Sequence, residues 1–237
     1  MNKGAKLYEG KAKILYRTED PDLLLQHFKD DATAFDGVKK GTIIGKGVAN
    51  NTISASLFSL LREYDVDSHF VQKISADEML VRNVQIIPVE VVVRNISTGS
   101  LCRRYGVAEG IVFNEPIVEL YYKDDELHDP LMNDDHVIAM KLANREELER
   151  MKSQARRVNE ILEEFFDSIG IRLVDFKLEF GRFHGKILLA DEISPDTCRF
   201  WEKGSNRKLD KDRFRQDLGD VEKTYGEMMK RITERKS

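Results

Sequence analysis

The chain has 237 residues, enough for one large domain or two small ones with a sizeable core. Hydrophobic residues make up 41% and charged residues 34%, and the formal net charge of -4 lacks the basic excess that a general nucleic-acid footprint needs. Cys102 and Cys198 form no CxxC, the start "MNKGAKLYEGK" has no apolar signal core, and no apolar run reaches membrane-spanning length, so a cytoplasmic protein without membrane or nucleic-acid partners is expected.

Residues 6–17, "KLYEGKAKILYR", read as a hairpin turning at Gly10. A glycine turn lets backbone approach a phosphate, and Lys11 and Lys13 supply charge there. Taken alone, an exposed hairpin tip is the better reading. "LLLQHF" at 23–28 is a short strand. "GTIIGKG" at 41–47 is not a Walker A loop: one residue is missing between the glycines, and no Ser or Thr follows Lys46. Val48, Ile53, Leu57, Leu60, Leu61 and Tyr64 recur at helical spacing and predict a helix over 46–64. Segments 69–73 and 86–96 are β-rich, and Arg94 lies at a strand end. "STGSLCRRYG" at 97–106 then reads as a short helix closed by Gly106. Its hydroxyls suit either N-capping or a phosphate, and Arg94 tips the balance toward an anion.

"PIVELYYK" at 116–123 is a strand and the acidic "DDELHDPLMNDDH" at 124–136 a loop. The stretch 145–169 is a helix whose buried stripe is Met151, Ala155, Val158, Leu162, Phe165 and Ile169, stopped by Gly170. Strands follow at 171–180 and 186–193, joined by "GRFHG", and the tail from Asp210 is helical. Strand-rich and helix-rich runs mix irregularly, which indicates an α+β fold, with a boundary near residue 85 dividing 1–85 from 86–237.

The strand "VDFKLEF" at 174–180 places Asp175, Lys177 and Glu179 on one face and Val174, Phe176, Leu178 and Phe180 on the other. If "GRFHG" is a five-residue loop, Phe180 faces Lys186 and Asp175 lies across from Asp191. Carboxylates that close need a cation; Lys177 is one, and Mg²⁺, which takes hard oxygen ligands, is the natural second. Asp196 and Arg199 lie just beyond. No HExxH, GxSxG or kinase signature set competes.

Taken together, "IPVEVVVRNISTGS" (87–100) and "LVDFKLEFG" (173–181) resemble the two signature stretches of SAICAR synthetases. "LYEGKAK" (7–13), "TAFDG" (33–37, with Thr where the family pattern has Ser), "DDELHDPLMND" (124–134) and "DEISPDTCRFW" (191–201) match in the expected order, so the resemblance spans essentially the whole chain. It implies an ATP-grasp-like fold: a β-rich N-terminal part and a larger α+β part, with nucleotide in the cleft. It implies Mg²⁺, a homodimer, and a reaction of ATP, carboxyaminoimidazole ribotide (CAIR) and L-aspartate. Carried onto this chain, Lys11, Lys13 and Lys123 meet the ATP phosphates, and Leu15 and Leu24 pack on adenine. Glu179 and Asp191 hold Mg²⁺, with Asp129 as helper. Arg94, Ser100, Arg199 and Arg215 hold the CAIR phosphate and ribose. Asp175 and Lys177, the catalytic pair, position the imidazole and its carboxylate with Asp196, and Asp36 helps place aspartate. Loss of Arg94 or Arg199 is then expected to raise the KM for CAIR far more than that for ATP. The alternatives are a related small-molecule kinase, which needs no amine acceptor, and a nucleotide-binding regulator, which would not need the acceptor residues.

Overall fold

The computed structural model describes residues 3–34 and 37–234. Strands β1 (Lys6–Glu9), β2 (Lys13–Arg17) and β3 (Leu23–Phe28) are followed by a separate hairpin, β4 (Asp31–Ala34) and β5 (Lys39–Thr42). Helix α1 (Lys46–Glu63) comes next, and β6 (Phe70–Lys73) and β7 (Glu78–Arg82) complete a five-stranded antiparallel sheet in the order β1-β2-β3-β7-β6. Ile53, Leu57 and Leu61 recur every four residues and are fully buried, so α1 forms by packing one stripe onto this sheet. Tyr64, placed on the same stripe by spacing, lies past the helix end and is exposed.

The second half builds a larger sheet. Its elements are β8 (Gln85–Ile86), β9 (Val89–Ile96), α2 (Gly99–Tyr105), β10 (Val112–Tyr122), β11 (Leu131–Met132), α3 (Asp134–Ala139), α4 (Arg145–Ser168), β12 (Ile171–Phe183), β13 (Lys186–Ala190) and β14 (Cys198–Glu202). The strand order is β11-β10-β9-β12-β13, with β8 and β14 also paired to β12, and all pairings are antiparallel. Helices α5 (Asp212–Arg215) and α6 (Val221–Thr233) close the chain, and α6 returns to pack on α1. The fold is therefore α+β with antiparallel sheets.

Helix α4 starts at a capping box, Asn144 with Glu147, and ends before Gly170, whose φ of 75° suits a residue without Cβ. Its stripe from Met151 to Phe165 is buried against β9 and β12. Phe176, Leu178 and Phe180 meet that core, whereas Val174 packs with Ile96 and Trp201. A bulge between Leu173 and Asp175 shifts the alternation by one residue, so Val174 leaves the face it was expected to share.

One edge of β12 is divided. β14 pairs with residues 171–176 and β13 with 179–183, and the loop from Asp191 to Thr197 passes between them, with Lys177 N–H donating to the Thr197 carbonyl. The link between β12 and β13 is shorter than expected: Phe183 pairs with Lys186 across His184 and Gly185, both at positive φ, the geometry of a two-residue hairpin turn. Strands β4, β5, β7 and β14 and helix α3 add to the expected elements, and the 124–136 loop contains a 3-10 turn, β11 and the start of α3.

Candidate functional site

The charged face of the larger sheet forms the floor of the site. Register sets Asp175 opposite Arg94 and Lys177 opposite Val92, while on β10 Glu119 stands opposite Val92 and Tyr121 opposite Glu90. Asp175, Lys177, Glu179, Glu90, Arg94, Glu119 and Tyr121 thus share one surface. It is not a solvated row: Arg94, Glu119, Asp175 and Glu179 are buried.

A cavity of about 590 Å³ opens between this floor and the hairpin turn Gly10–Lys13. Lysines and carboxylates alternate around it. Lys177 Nζ bonds Glu90 at 2.7 Å and Glu179 at 2.8 Å, and Lys123 also reaches Glu179. Lys13 reaches Asp191 and lies 3.2 Å from Glu192, and Lys11 bonds Asp125 at 2.7 Å. Burial and the neighbouring Asp191 push the Glu179 carboxyl up, but Lys177 and Lys123 outweigh them and its pKa falls. Burial likewise opposes ionisation of Asp191, and Lys13, Lys177 and Lys123 hold it well below the usual carboxylate range. Glu192 goes the other way: burial raises its pKa against the pull of Lys13.

Asp191 does not lie across from Asp175, as a five-residue loop would require. Glu179 pairs with Ala190, so regular alternation would put Asp191 opposite Leu178 and into the core. Instead its φ is 63°, a left-handed conformation for which Asp and Asn are enriched, and the break in alternation returns the carboxylate to Lys13. The His69 ring Nε2 donates to the Asp191 carbonyl at 2.9 Å and fixes the turn from behind.

A second cluster lies beyond Asp175 and does not line this cavity. Arg94 donates to Glu119 at 2.6 Å, Asp175 at 2.7 Å, Ser100 Oγ at 3.0 Å and Tyr121 Oη at 3.2 Å. Arg199 bonds Asp175 and Asp212, each at 2.9 Å, and Arg215 bonds Asp212 at 2.6 Å. Gly99, at φ 56°, allows this crowding: a Cβ there would stand 2.8 Å from Arg199 Nη2. Thr98 caps α2 without a side-chain bond to it and donates to Glu109 instead.

Asp196 joins the cavity wall, held by Lys46 at 2.9 Å, by the Tyr225 hydroxyl at 2.6 Å and by Lys211 at 3.7 Å. Lys46, Lys211, Tyr225, Glu90, Glu119 and Glu192 were not singled out by motif. A signal existed for Lys46: it sits where helical spacing points it inward, and a lysine there demands a buried partner. Leu15 and Leu24 line an adjoining apolar cavity. Asp129 lines the main cavity, and its carboxylate accepts from Asp124 N–H at 3.0 Å. It does not complete a three-ligand cage with Glu179 and Asp191: among the described residues no three His, Cys, Asp or Glu side chains are grouped to hold a metal. Asp36 lies outside the described residues.

Burial pushes the His69 imidazole down to about 4 from its ordinary 6.5. Below pH 6.5 the unfolded chain takes up a proton that the folded site refuses until about pH 4, so this contribution to stability is lost as pH falls through that window. Replacing His69 with Gln removes the titration. In urea unfolding from pH 7 to pH 4, the wild type is expected to lose about 3 kcal/mol more than H69Q; parallel curves would show that His69 does not resist protonation.

The family model described as SAICAR synthetase matches residues 6–232. The phosphoribosylaminoimidazole-succinocarboxamide synthase of Chlorobium chlorochromatii is 58% identical over 234 residues, 99% of this chain and 100% of the relative. The crystal structure of the synthase from Ehrlichia chaffeensis superposes with a TM-score of 0.95 at 44% identity, over 97% of this chain and 98% of that one. A SAICAR synthetase in complex with ADP gives 0.93 at 48% identity, again over 97% and 98%.

Proposed function

We propose a division of labour along the charged floor from one premise: the chain belongs to the SAICAR synthetase family. It is an ATP-dependent ligase of purine biosynthesis, which joins L-aspartate to the carboxylate of CAIR to give SAICAR, ADP and phosphate. The observation that carries the division is the unbroken Asp175–Lys177–Glu179 row. It runs from a cluster of guanidinium groups at one end to a cluster of lysines at the other.

At the lysine end, Lys11, Lys13 and Lys123 neutralise the ATP phosphates. Glu179 and Asp191 fit a Mg²⁺ that arrives with the nucleotide, because two carboxylates on one cavity wall supply hard oxygens and phosphate oxygens complete the shell. When bound, such an ion offsets charge on the transferring phosphoryl group. Asp129, on the same wall, is a helper through water. At the guanidinium end, Arg199, Arg215 and Ser100 hold the phosphate and ribose of CAIR, with Arg94 braced behind them. Asp175, Lys177 and Asp196 orient the imidazole and its carboxylate between the two ends, and Asp36 serves aspartate.

A carboxylate is a poor electrophile. One of its oxygens takes the γ-phosphoryl group of ATP, ADP leaves, and the neutral aspartate amine attacks the resulting acyl phosphate and expels phosphate, which carries off the proton the amine gives up. In the unliganded site Glu179 and Glu90 outweigh the effect of burial and raise the pKa of Lys177, which favours its protonated form. Its role is to hold charge and geometry, not to shuttle a proton.

Residues 1–85 act as the nucleotide-covering part and 86–237 as the part carrying the acceptor. The protein works in the cytoplasm as a homodimer, a state supported by the exposed apolar residues Tyr105, Ile111, Val112, Ile117 and Leu131 around β10. No helix among the described residues is long and apolar enough to cross a membrane.

The deciding assay follows ADP and product mass with ATP, Mg²⁺ and CAIR, with and without L-aspartate. The expected stable product is the succinyl amide, formed only with aspartate. A stable phosphorylated product without aspartate would point to the kinase alternative, and no ADP release under either condition to the regulator.

A further inference from the structure

The apolar cavity beside the main site has a volume of about 340 Å³. Tyr8, Lys13, Lys123, Glu179 and Asp191 line both cavities, so the smaller one opens onto the charged floor. Its inner walls are Leu15, Leu24, Val81, Val84 and Ile86. Among these stands Gln26, on β3, paired in register with Leu15 on one side and Met79 on the other. Strand alternation puts Leu24 and Gln26 on the same face.

Gln26 is 3% exposed, and its amide Nε2 has no hydrogen-bond partner. A buried donor without a partner costs free energy, and an aliphatic side chain between Leu15 and Met79 would avoid that cost. The other polar groups toward this end are engaged: His69 donates to the Asp191 carbonyl, and Arg82 donates to the Ser68 carbonyl at 2.6 Å. An orphan amide in an apolar pocket, one cavity away from a phosphate-binding row, has the chemistry of a base reader.

We propose that Gln26 is a specificity-determining residue that reads the amino edge of the adenine ring. The inference rests on the reading of the charged cavity as the ATP phosphate site. A carboxamide offers an acceptor and a donor side by side, and adenine offers the complement: the 6-amino N–H beside a ring nitrogen. The terminal torsion of glutamine is soft, so the amide turns into the cavity without rotamer strain. Leu15, Leu24 and Val81 then cover the ring faces, and Lys13 and Lys123 lie toward the phosphates.

The test is a cycle of two nucleotides against two side chains. ATP and purine riboside triphosphate, which lacks the 6-amino group, are compared by equilibrium displacement of a fluorescent nucleotide. The wild type is expected to bind the analogue about 10- to 100-fold more weakly than ATP. In Gln26→Leu, and in the nearly isosteric Gln26→Met should the first variant fold poorly, that ratio is expected to fall to within about threefold. A merely structural role would weaken both nucleotides and leave the ratio intact, which would overturn the proposal. So would equal binding of the two by the wild type. If the wild type bound neither nucleotide, the ATP reading of the main cavity would fail as well, an outcome distinct from the other two.

Discussion

Arg94→Ala is expected to lose about 2–3 kcal/mol of folding stability, because it removes a buried guanidinium that two buried carboxylates share. Arg94 is 4% exposed at its side chain and bridges Glu119, on β10, to Asp175, on β12. Arg199 keeps one partner on Asp175 and Arg104 keeps one on Glu119, but neither spans both strands. The sequence alone suggests a KM for CAIR raised far more than that for ATP. The four bonds from Arg94 make its removal first a defect of the sheet, with weakened CAIR binding as a consequence. Arg199, whose side chain is 20% exposed, is the cleaner probe of acceptor binding. Urea unfolding of R94A and R199A checks this: a loss below about 1 kcal/mol for R94A would mean that the buried carboxylates re-pair or protonate at little cost.

Asp191→Asn is expected to keep the fold and to lose turnover by about 100-fold or more. Asn tolerates the left-handed backbone at this position, so the turn survives, whereas Ala would be strained there. What changes is charge. Lys13 keeps only Glu192 as a close anion, and of the two carboxylates proposed to meet the nucleotide metal directly only Glu179 is left. Mg·ADP should bind correspondingly more weakly, and raising Mg²⁺ should recover part of the loss. Steady-state kinetics across a Mg²⁺ series and a melting curve separate site from fold. Near-normal turnover at ordinary Mg²⁺ would remove Asp191 from the metal site.

The main elements were legible because their signals are local. α4 shows a clean apolar stripe, a capping box and a stopping glycine, and the parity of β12 is enough to put Lys177 and Glu179 on the face that floors the cavity. What could not be read was register. The sequence "GRFHG" looks like a loop of five, yet its first three residues extend the strand and leave His184-Gly185 as the turn. The three-residue difference changes parity, and the left-handed backbone at Asp191 changes it back. Asp191 was therefore placed on the right face through two compensating errors. Partners such as Lys46 and Tyr225 lie 150 and 29 positions from Asp196, and no spacing rule reaches across such gaps. Strands β4, β5 and β7 were missed for another reason: "DATA", "KKGT" and "EMLVR" carry weak β propensity, and pairing overrides it.

Helix α6 lies on α1, and the hydroxyl of Tyr225 holds Asp196. This closure matters while the chain is being made. The N-terminal sheet and α1 leave the ribosome early and bring Lys46 to meet Asp196, but the last tie on this wall of the cavity forms only when Tyr225, 29 positions after Asp196, has emerged. Nascent chains that stop short of α6 expose the face of α1 that this helix covers and lack the Tyr225 tie to Asp196.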